Sequence, residues 1–284
     1  MDANNGYNVD VGPSGEISYS FQLNDKVNVS SNASDYYAVF FNSTQSNYTA
    51  MQIHYPSNSS SSAVSLYALY NQASGTSLSK GHGAYIYGTQ IAFYGAFHFT
   101  VDGLEYDTLT NSYGLWAANN GGTRARFTIY NDASLVLYSR YPLYGVLVHG
   151  SDCYFYGRLS VRASARGTVQ ALYTESLASM YFYGPVTLYT YADWSGDNAN
   201  IVYNDNVGSV MKFYDSLSVT GASWSSTIMG IRTQGYTDTQ NPTINISGPR
   251  TAMGCANTHR QAVARFHRFV NMTVVGRDGT YGDT

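Results

Sequence analysis

The chain of 284 residues carries 15 lysines and arginines against 18 aspartates and glutamates, a formal net charge of −3. This balance argues against a general nucleic-acid binder, which would need a basic face, so we expect no nucleic-acid partner. No apolar run reaches the roughly 18 residues that a membrane-spanning helix requires, and we expect no membrane span.

The residue usage favours strands over helices. Only 12% of the residues are charged, against about 25% in typical globular proteins, so the Glu and Lys richness of helical bundles is missing. The 28 tyrosines, together with Val, Thr and Phe, suit the pleated surface of a β-sheet. We therefore expect an all-β protein.

The N-terminal part of the chain predicts short strands and a loop. Alternating runs at 17–23 and 27–29 have strand periodicity, and a serine-rich stretch at 56–62 predicts a flexible loop. We interpret residues 1–63 as N-terminal cap strands with this loop.

A repeated strand dominates the middle of the chain. A Phe-Tyr-Gly triplet followed by alternating apolar residues occurs at 93–101, 155–161 and 182–188, and recurs with Asp in place of Gly at 213–219. An apolar residue at every second position is typical of a pleated strand. Apolar anchors follow one another at intervals averaging about 29 residues: Leu66, Phe97, Phe127, Leu159, Val186, Leu217, Ile244 and Val270.

This period predicts a solenoid. Propeller blades need four strands in about 40–50 residues, which the period does not provide. We predict a single-stranded parallel β-solenoid of roughly eight or more coils over residues 64–248, with caps at both ends. Two antiparallel β-sandwich domains, divided near the serine-rich stretch, are the alternative.

The alternation also assigns side chains to faces. Phe155, Phe182 and Phe213 should point inward, and glycines after the tyrosines should allow close approach of coils. At Asp215 either the corner is open to water or the register is displaced. One outward column comprises His98, Ser160, Thr187 and Ser218, and the predicted binding residues form an outward aromatic column of Tyr94, Tyr156, Tyr183 and Tyr214.

Residues 249–284 differ from the repeats and predict a C-terminal cap. They contain five arginines and two aspartates, which makes this end basic and the rest acidic. Thr258 begins a sequence with the spacing of a capping box, and apolar residues follow at helical spacing from Ala262 to Val270. A short helix is expected here, as a solvated cap or as a surface that docks a subunit.

The repeats, with Asn-, Asp- and Gly-rich turns such as 119–122 and 195–198, resemble right-handed parallel β-helices. Autotransporter passenger domains and phage tailspike shafts are proteins of this kind. The resemblance covers residues 64–248 and implies an extended protein displayed on a cell surface or virion. The chain begins without the charged and apolar regions of a signal peptide, so either a signal was removed or the protein leaves the cytosol otherwise, for example within a virion.

Candidate catalytic groups are few. Gly81-His82-Gly83 matches one triplet of pectin-cleaving β-helices, but their other motifs are missing. The acids that could pair, as glycoside cleavage requires, are Asp102, Glu105 and Asp107 in one turn and Asp193, Asp197 and Asp205 in another. Acids in solenoid turns are more often solvated. The histidines lack the spacing of a zinc site, and we expect no metal or cofactor.

The two cysteines, Cys153 and Cys255, are either buried free thiols or one bridge. Taken together, the sequence predicts a non-catalytic structural or adhesive solenoid at an extracellular, cell-surface or virion location. Its expected partners are neighbouring subunits, or a cell-surface glycan or protein receptor, bound through the tyrosine-rich outer face. A glycan-binding or glycan-degrading β-helix of the tailspike or pectinase kind is the alternative.

Overall fold

The computed structural model consists of strands joined by turns. It describes residues 7–10, 27–30, 35–42, 50–53, 63–69, 80–87, 90–93, 96–103, 111–119, 122, 124–139, 142–192, 199–223, 227–248, 252–257 and 259–276, with side chains between 113 and 275. Within these residues there is no helix. The serine-rich stretch at 56–62 lies outside them.

The strands are numbered in chain order. They are β1 (Tyr7–Asp10), β2 (Val27–Ser30), β3 (Asp35–Asn42), β4 (Ala50–Ile53), β5 (Ala63–Leu69), β6 (Lys80–Tyr87), β7 (Gln90–Phe93), β8 (Ala96–Gly103), β9 (Asn111–Ala118), β10 (Arg126–Ile129), β11 (Ala133–Ser139), β12 (Leu143–His149), β13 (Asp152–Phe155), β14 (Leu159–Ala165), β15 (Val169–Glu175), β16 (Ser179–Phe182), β17 (Val186–Ala192), β18 (Ala199–Asn204), β19 (Val210–Ser223), β20 (Ile228–Thr233), β21 (Tyr236–Gly248), β22 (Ala252–Asn257), β23 (Val263–His267) and β24 (Asn271–Gly276).

These strands stack in three columns, which form the three faces of a solenoid. Face 1 is the nine-stranded sheet in the order β1-β3-β6-β9-β12-β15-β18-β20-β22. Face 2 runs β4-β7-β10-β13-β16 and continues through the first halves of β19 and β21 to β23. Face 3 runs β2-β5-β8-β11-β14-β17 and continues through the second halves of β19 and β21 to β24. Faces 2 and 3 belong to one sheet because β19 and β21 pass through the corner between them.

Every strand pairing in the described part of the chain is parallel. The prediction of a parallel β-solenoid is therefore confirmed, and the alternative of two antiparallel sandwiches is wrong. About five turns are formed where side chains are described, fewer than the eight or more coils that the sequence predicted. Parallel pairing continues from there through the strands nearer the N terminus.

The core lies between the three faces and is filled by the side chains of alternate residues in each strand. Phe155, Phe182 and Phe213 follow one another on face 2, each at most 2% exposed. Their rings stack with centroids 5.2 Å and 4.6 Å apart. Full burial of a side chain of this size contributes about 1.5–3 kcal/mol, so this spine is a main source of stability. The inward prediction for these phenylalanines is confirmed.

The predicted register holds for three successive layers and fails in the layer before them. Leu159 pairs with Val186, which pairs with Leu217. Phe127, however, lies on face 2, and the layer before Leu159 is occupied by Ala133. The two faces carry similar apolar alternation, so spacing alone cannot separate them.

The expected C-terminal helix is wrong. The chain turns at 259–262 and then forms β23 and β24, which both pair with β21. An isolated helix this short is marginal, whereas the free edge of β21 supplies backbone hydrogen-bond partners to both segments. Phe266 and Met272 pack against the core from these strands.

Candidate functional site

A row of four tyrosines lies on the corner between faces 2 and 3. Tyr130, Tyr156, Tyr183 and Tyr214 each follow the last residue of a face 2 strand or, in β19, the last residue before the corner. We name this row the tyrosine corner. Because the preceding residue of each points inward, the pleat turns the tyrosine outward. The four side chains are 39–50% exposed.

The rings of the tyrosine corner stack continuously. Successive centroids are 5.1, 4.6 and 4.9 Å apart, and the ring planes differ by 12°, 5° and 7°. Each ring therefore covers the face of the next, and the row presents ring edges and hydroxyl groups to solvent. Burial, followed by the neighbouring Tyr156 and Tyr214, raises the pKa of Tyr183.

Glycines beside the row lie where successive coils approach closely. A Cβ on Gly184 would lie 2.4 Å from the carbonyl oxygen of Gly157, and a Cβ on Gly157 would lie 2.3 Å from the backbone of Asn131. No side chain fits at such distances. At Asp215 the pairing of β19 and β21 is irregular and the side chain is exposed, so the corner is open to water there.

The sequence prediction located most of this row. Tyr156, Tyr183 and Tyr214 point outward and stack as expected, while their role in binding stays a prediction. Tyr94 lies outside the described residues. Tyr130 was missed because Ile129 stands where the other repeats have Phe. Its distance of 26 residues from Tyr156 was the signal available.

A hydroxyl-bearing column runs beside the corner on face 3. Ser160, Thr187 and Ser218 occupy matching positions in successive layers, with outward side chains. His98 belongs to the same column through its pairing with Ser134, although its side chain is outside the described part. The column therefore places further hydroxyl groups beside those of the tyrosine corner.

Face 1 carries a second aromatic row and a polar network that the sequence did not predict. Tyr144, Tyr173 and Tyr203 have centroids 5.6 Å and 5.3 Å apart, and the Arg232 guanidinium lies 4.7 Å from the Tyr203 ring centroid. This arrangement is a cation–π contact. It ends the row with a positive charge.

Two carboxylates lie at the end of this row. The Tyr173 hydroxyl lies 3.0 Å from Glu175 Oε2 and 2.7 Å from Asp205 Oδ2, so the two carboxylates compete for its single proton. The two oxygens are thus at most about 6 Å apart, which is too close for the roughly 6.5–9.5 Å separation of inverting glycosidases and leaves only the closer spacing of retaining ones. We name Tyr173, Glu175, Tyr203 and Asp205 the carboxylate cluster.

Further polar groups surround the carboxylate cluster. The Tyr203 hydroxyl donates to Asp205, and Gln234 Nε2 donates to Asp205 Oδ1 at 3.0 Å. His149 Nδ1 lies 2.8 Å from Glu175 Oε1. Burial and the hydrogen bond to Asp205 raise the pKa of Tyr203 to about 12, and the same causes raise the pKa of Tyr173. Both phenols therefore stay protonated as hydrogen-bond donors at neutral pH.

Buried Asn204 supports the turn that carries Asp205. Its Nδ2 donates to the carbonyl oxygens of Ser209 and Tyr236, at 3.2 and 2.9 Å. The sequence repeats Tyr-x-acid at 173–175 and 203–205, and residues two apart share a face of a strand. That repetition was the available signal for the cluster.

Most of the other candidate groups are not tested by the structure. Gly81-His82-Gly83 lies on β6 and Asp102 on β8, but their side chains are outside the described part, as are Glu105, Asp107, Asp193 and Asp197. Among described residues no three His, Cys, Asp or Glu side chains are grouped to hold a metal ion. Cys153 and Cys255 are free thiols, and burial raises the pKa of both.

The described segments include no helix long and apolar enough to cross a bilayer. No protein-family model, curated protein or solved structure matches the chain.

Proposed function

We propose that this protein is a non-catalytic structural or adhesive β-solenoid, displayed on a cell surface or virion, that contacts neighbouring subunits or a receptor through the tyrosine corner. One observation carries the proposal: four tyrosines, each 39–50% exposed, lie in a continuous row on one edge of the solenoid. Exposed aromatic groups in a contiguous patch mark interaction surfaces. The location outside the cytosol rests on the resemblance to displayed β-helices.

The ring geometry favours a protein partner over sugar rings. A sugar stacks on the face of an aromatic ring, and in the tyrosine corner the faces of Tyr156 and Tyr183 are covered by neighbouring rings. What remains accessible is a row of ring edges and hydroxyls, repeating at the strand spacing of about 4.8 Å. A protein surface can pack along that row and hydrogen-bond to the hydroxyls.

The proposal is tested by removing two rings from the corner. The double variant Tyr156→Thr/Tyr183→Thr retains strand-forming residues. It should abolish lateral association, as measured by sedimentation velocity. It should also abolish attachment to the surface to which the wild-type protein adheres. The matched control is Tyr154→Thr/Tyr181→Thr, which removes a stacked pair from the middle of face 2. Equal loss in both variants, or none in either, would reject the tyrosine corner as the binding surface.

The carboxylate cluster supports a second candidate function, the binding or cleavage of glycans. Glu175 and Asp205 lie close together around the Tyr173 hydroxyl, beside an aromatic row. Incubation with a panel of polysaccharides, followed by measurement of new reducing ends, tests this function. If the wild-type protein produces new reducing ends and the variants Glu175→Gln and Asp205→Asn do not, the protein is an enzyme and the non-catalytic proposal is overturned.

A further inference from the structure

The strands in the middle of face 1 bend, because two successive residues of each point inward. Ala171 and Leu172 of β15 both belong to the buried core, and so do Ile201 and Val202 of β18. In β12 the first of these positions is Gly145, where a Cβ would also point into the core, 3.0 Å from a side chain of face 3. The strict alternation of faces is interrupted there. The residues just before and just after the inward pair therefore lie on the same, outer side of the strand.

Side chains from the two sides of this bend converge on the outer surface of face 1. Tyr113 and Trp116 lie on opposite sides of the bend in β9, and their ring centroids are only 4.9 Å apart. Four outward residues of the next three strands are at most 8% exposed, although they do not face the core. The outer surface is therefore concave along the bend. We name this concavity the face 1 groove; it is lined by Tyr144, Leu147, Gln170, Tyr173, Asn200 and Tyr203.

Two amide oxygens in the groove are buried without a hydrogen-bond partner. No group of the described chain donates to Gln170 Oε1 or to Asn200 Oδ1. The two residues occupy the same position in successive layers, so the oxygens repeat along the axis of the solenoid. At one end of the groove, Arg232 Nε is a buried donor without an acceptor among the described residues. Because buried polar groups are nearly always hydrogen-bonded, these three groups indicate a ligand that both donates and accepts.

We propose that the face 1 groove binds a linear, uncharged glycan. A hydroxyl group donates one hydrogen bond and accepts others, so a chain of sugars can donate to Gln170 and Asn200 and accept from Arg232. The five strands from β9 to β20 extend the groove over about 19 Å, at a strand spacing of about 4.8 Å. An extended ligand lying along the axis of the solenoid matches that shape.

The charges beside the groove favour an uncharged ligand over an acidic one. Glu175 and Asp205 lie next to the tyrosine row that lines the groove, and the guanidinium of Arg232 already lies over the Tyr203 ring. The two carboxylates would repel a carboxylate or sulfate group of a ligand. Sugar hydroxyls, in contrast, donate hydrogen bonds to carboxylates.

The inference rests on the second candidate function, the binding or cleavage of glycans, and names its ligand class. It assigns binding to the groove beside the carboxylate cluster, and it holds whether or not a bond is cleaved. Both amide oxygens are covered in the unliganded chain. Binding therefore includes a change of side-chain rotamer at Gln170 and Asn200, which brings the oxygens to the ligand.

Apolar replacements of similar size test the inference. Gln170→Met and Asn200→Leu remove the amide oxygens, and each should weaken glycan binding by about tenfold. Isothermal titration calorimetry with cellohexaose, xylohexaose, mannohexaose and maltohexaose measures the binding. Loss of a buried polar group that has no partner should leave the midpoint of urea unfolding unchanged or higher. A purely structural role predicts the opposite, a lower midpoint with unchanged binding.

Thr190→Val is the matched control. Thr190 Oγ1 is likewise buried without a partner, but Thr190 points into the core from face 3. The replacement should leave glycan binding unchanged. Hexagalacturonate serves as the acidic probe and should bind at least about tenfold more weakly than the best neutral hexasaccharide.

Each outcome decides the inference. A wild-type protein that binds none of the four neutral hexasaccharides would overturn it, as would Gln170→Met and Asn200→Leu variants that bind like the wild-type protein. Tighter binding of hexagalacturonate than of the neutral probes would overturn the assignment of an uncharged ligand.

Cleavage is a separate readout. If the wild-type protein binds a neutral hexasaccharide through the groove but forms no new reducing ends, the inference stands and cleavage is rejected. If new reducing ends are lost in Glu175→Gln while binding is unchanged in Gln170→Met and Asn200→Leu, cleavage stands and the inference is rejected.

Discussion

The Tyr156 and Tyr183 rings lie 4.6 Å apart with planes only 5° from parallel, although 27 residues separate them in the chain. Their separation is close to the spacing between strands, about 4.8 Å. The ladder of backbone hydrogen bonds therefore brings the rings to stacking distance, as the bond from Tyr183 N to Phe155 O at 2.8 Å illustrates. A surface built in this way is rigid before any partner binds.

Neighbouring residues on opposite sides of the pleat should differ in their effect on stability. Phe182→Ala leaves a cavity in the buried spine and should lower the free energy of unfolding by about 3–5 kcal/mol. Tyr183→Ala removes two exposed stacking contacts and should cost about 1–2 kcal/mol. Urea unfolding followed by circular dichroism measures both. Tyr183→Phe is the control, and an effect of Tyr183→Ala as large as that of Phe182→Ala would contradict the assignment of faces.

Gly184 should not tolerate even a methyl group. A Cβ there would meet the Gly157 carbonyl oxygen at 2.4 Å, and backbone atoms can yield only by shifting a coil. Gly184→Ala should lower the free energy of unfolding by about 1–3 kcal/mol, as overpacking does. Ser160→Ala, at an outward position nearby, should change it by less than about 0.5 kcal/mol. Equal midpoints of urea unfolding for the two variants would refute the close approach.

The phenol of Tyr203 should make stability depend on pH in the alkaline range. Its pKa in the folded protein is about 12, above the ordinary value of 10. Between these values the unfolded chain releases the proton and the folded chain retains it, so the stabilisation is complete below pH 10 and is lost as pH rises toward 12. Unfolding midpoints measured from pH 8 to 12 should fall less steeply in Tyr203→Phe than in the wild-type protein.

Replacing Asp205 should remove much of the rise in the pKa of Tyr203. Asp205→Asn eliminates the charge that favours the protonated phenol and weakens its hydrogen bond, so the pKa of Tyr203 should move toward 10. Phenolate absorbance during a pH titration, with Tyr203→Phe to identify the signal, measures the change. An unchanged titration would show that burial alone sets the pKa.

Both thiols should be unreactive in the folded protein. Burial raises the pKa of Cys255 to about 11 and that of Cys153 well above its usual value, so little thiolate is present near neutral pH. Iodoacetamide at pH 8 should label neither residue natively and both in denaturant, as mass spectrometry would show. Rapid native labelling of Cys153 would contradict its position in the core.

Local sequence determined the strand type and the side-chain faces. The alternation of inward and outward residues in and after each Phe-Tyr dipeptide is a property of a few adjacent residues. In a pleated strand it places Phe182 inward and Tyr183 outward. The recurrence of that pattern was enough to predict stacking of Leu159, Val186 and Leu217. It also predicted that Gly157 and Gly184 lie where coils approach closely.

Only the tertiary structure decided the contacts between layers at positions outside the Phe-Tyr-Gly repeat, where the sequence signal was weak. The Tyr173 hydroxyl meets Asp205 because hydrogen-bond register places residues 32 positions apart side by side, and Tyr130 joins its row through the same register. At the C terminus, spacing suited a helix, but the open edge of β21 made strands the better partner for the backbone. In each case the deciding energy comes from another layer of the solenoid, which the local sequence does not contain.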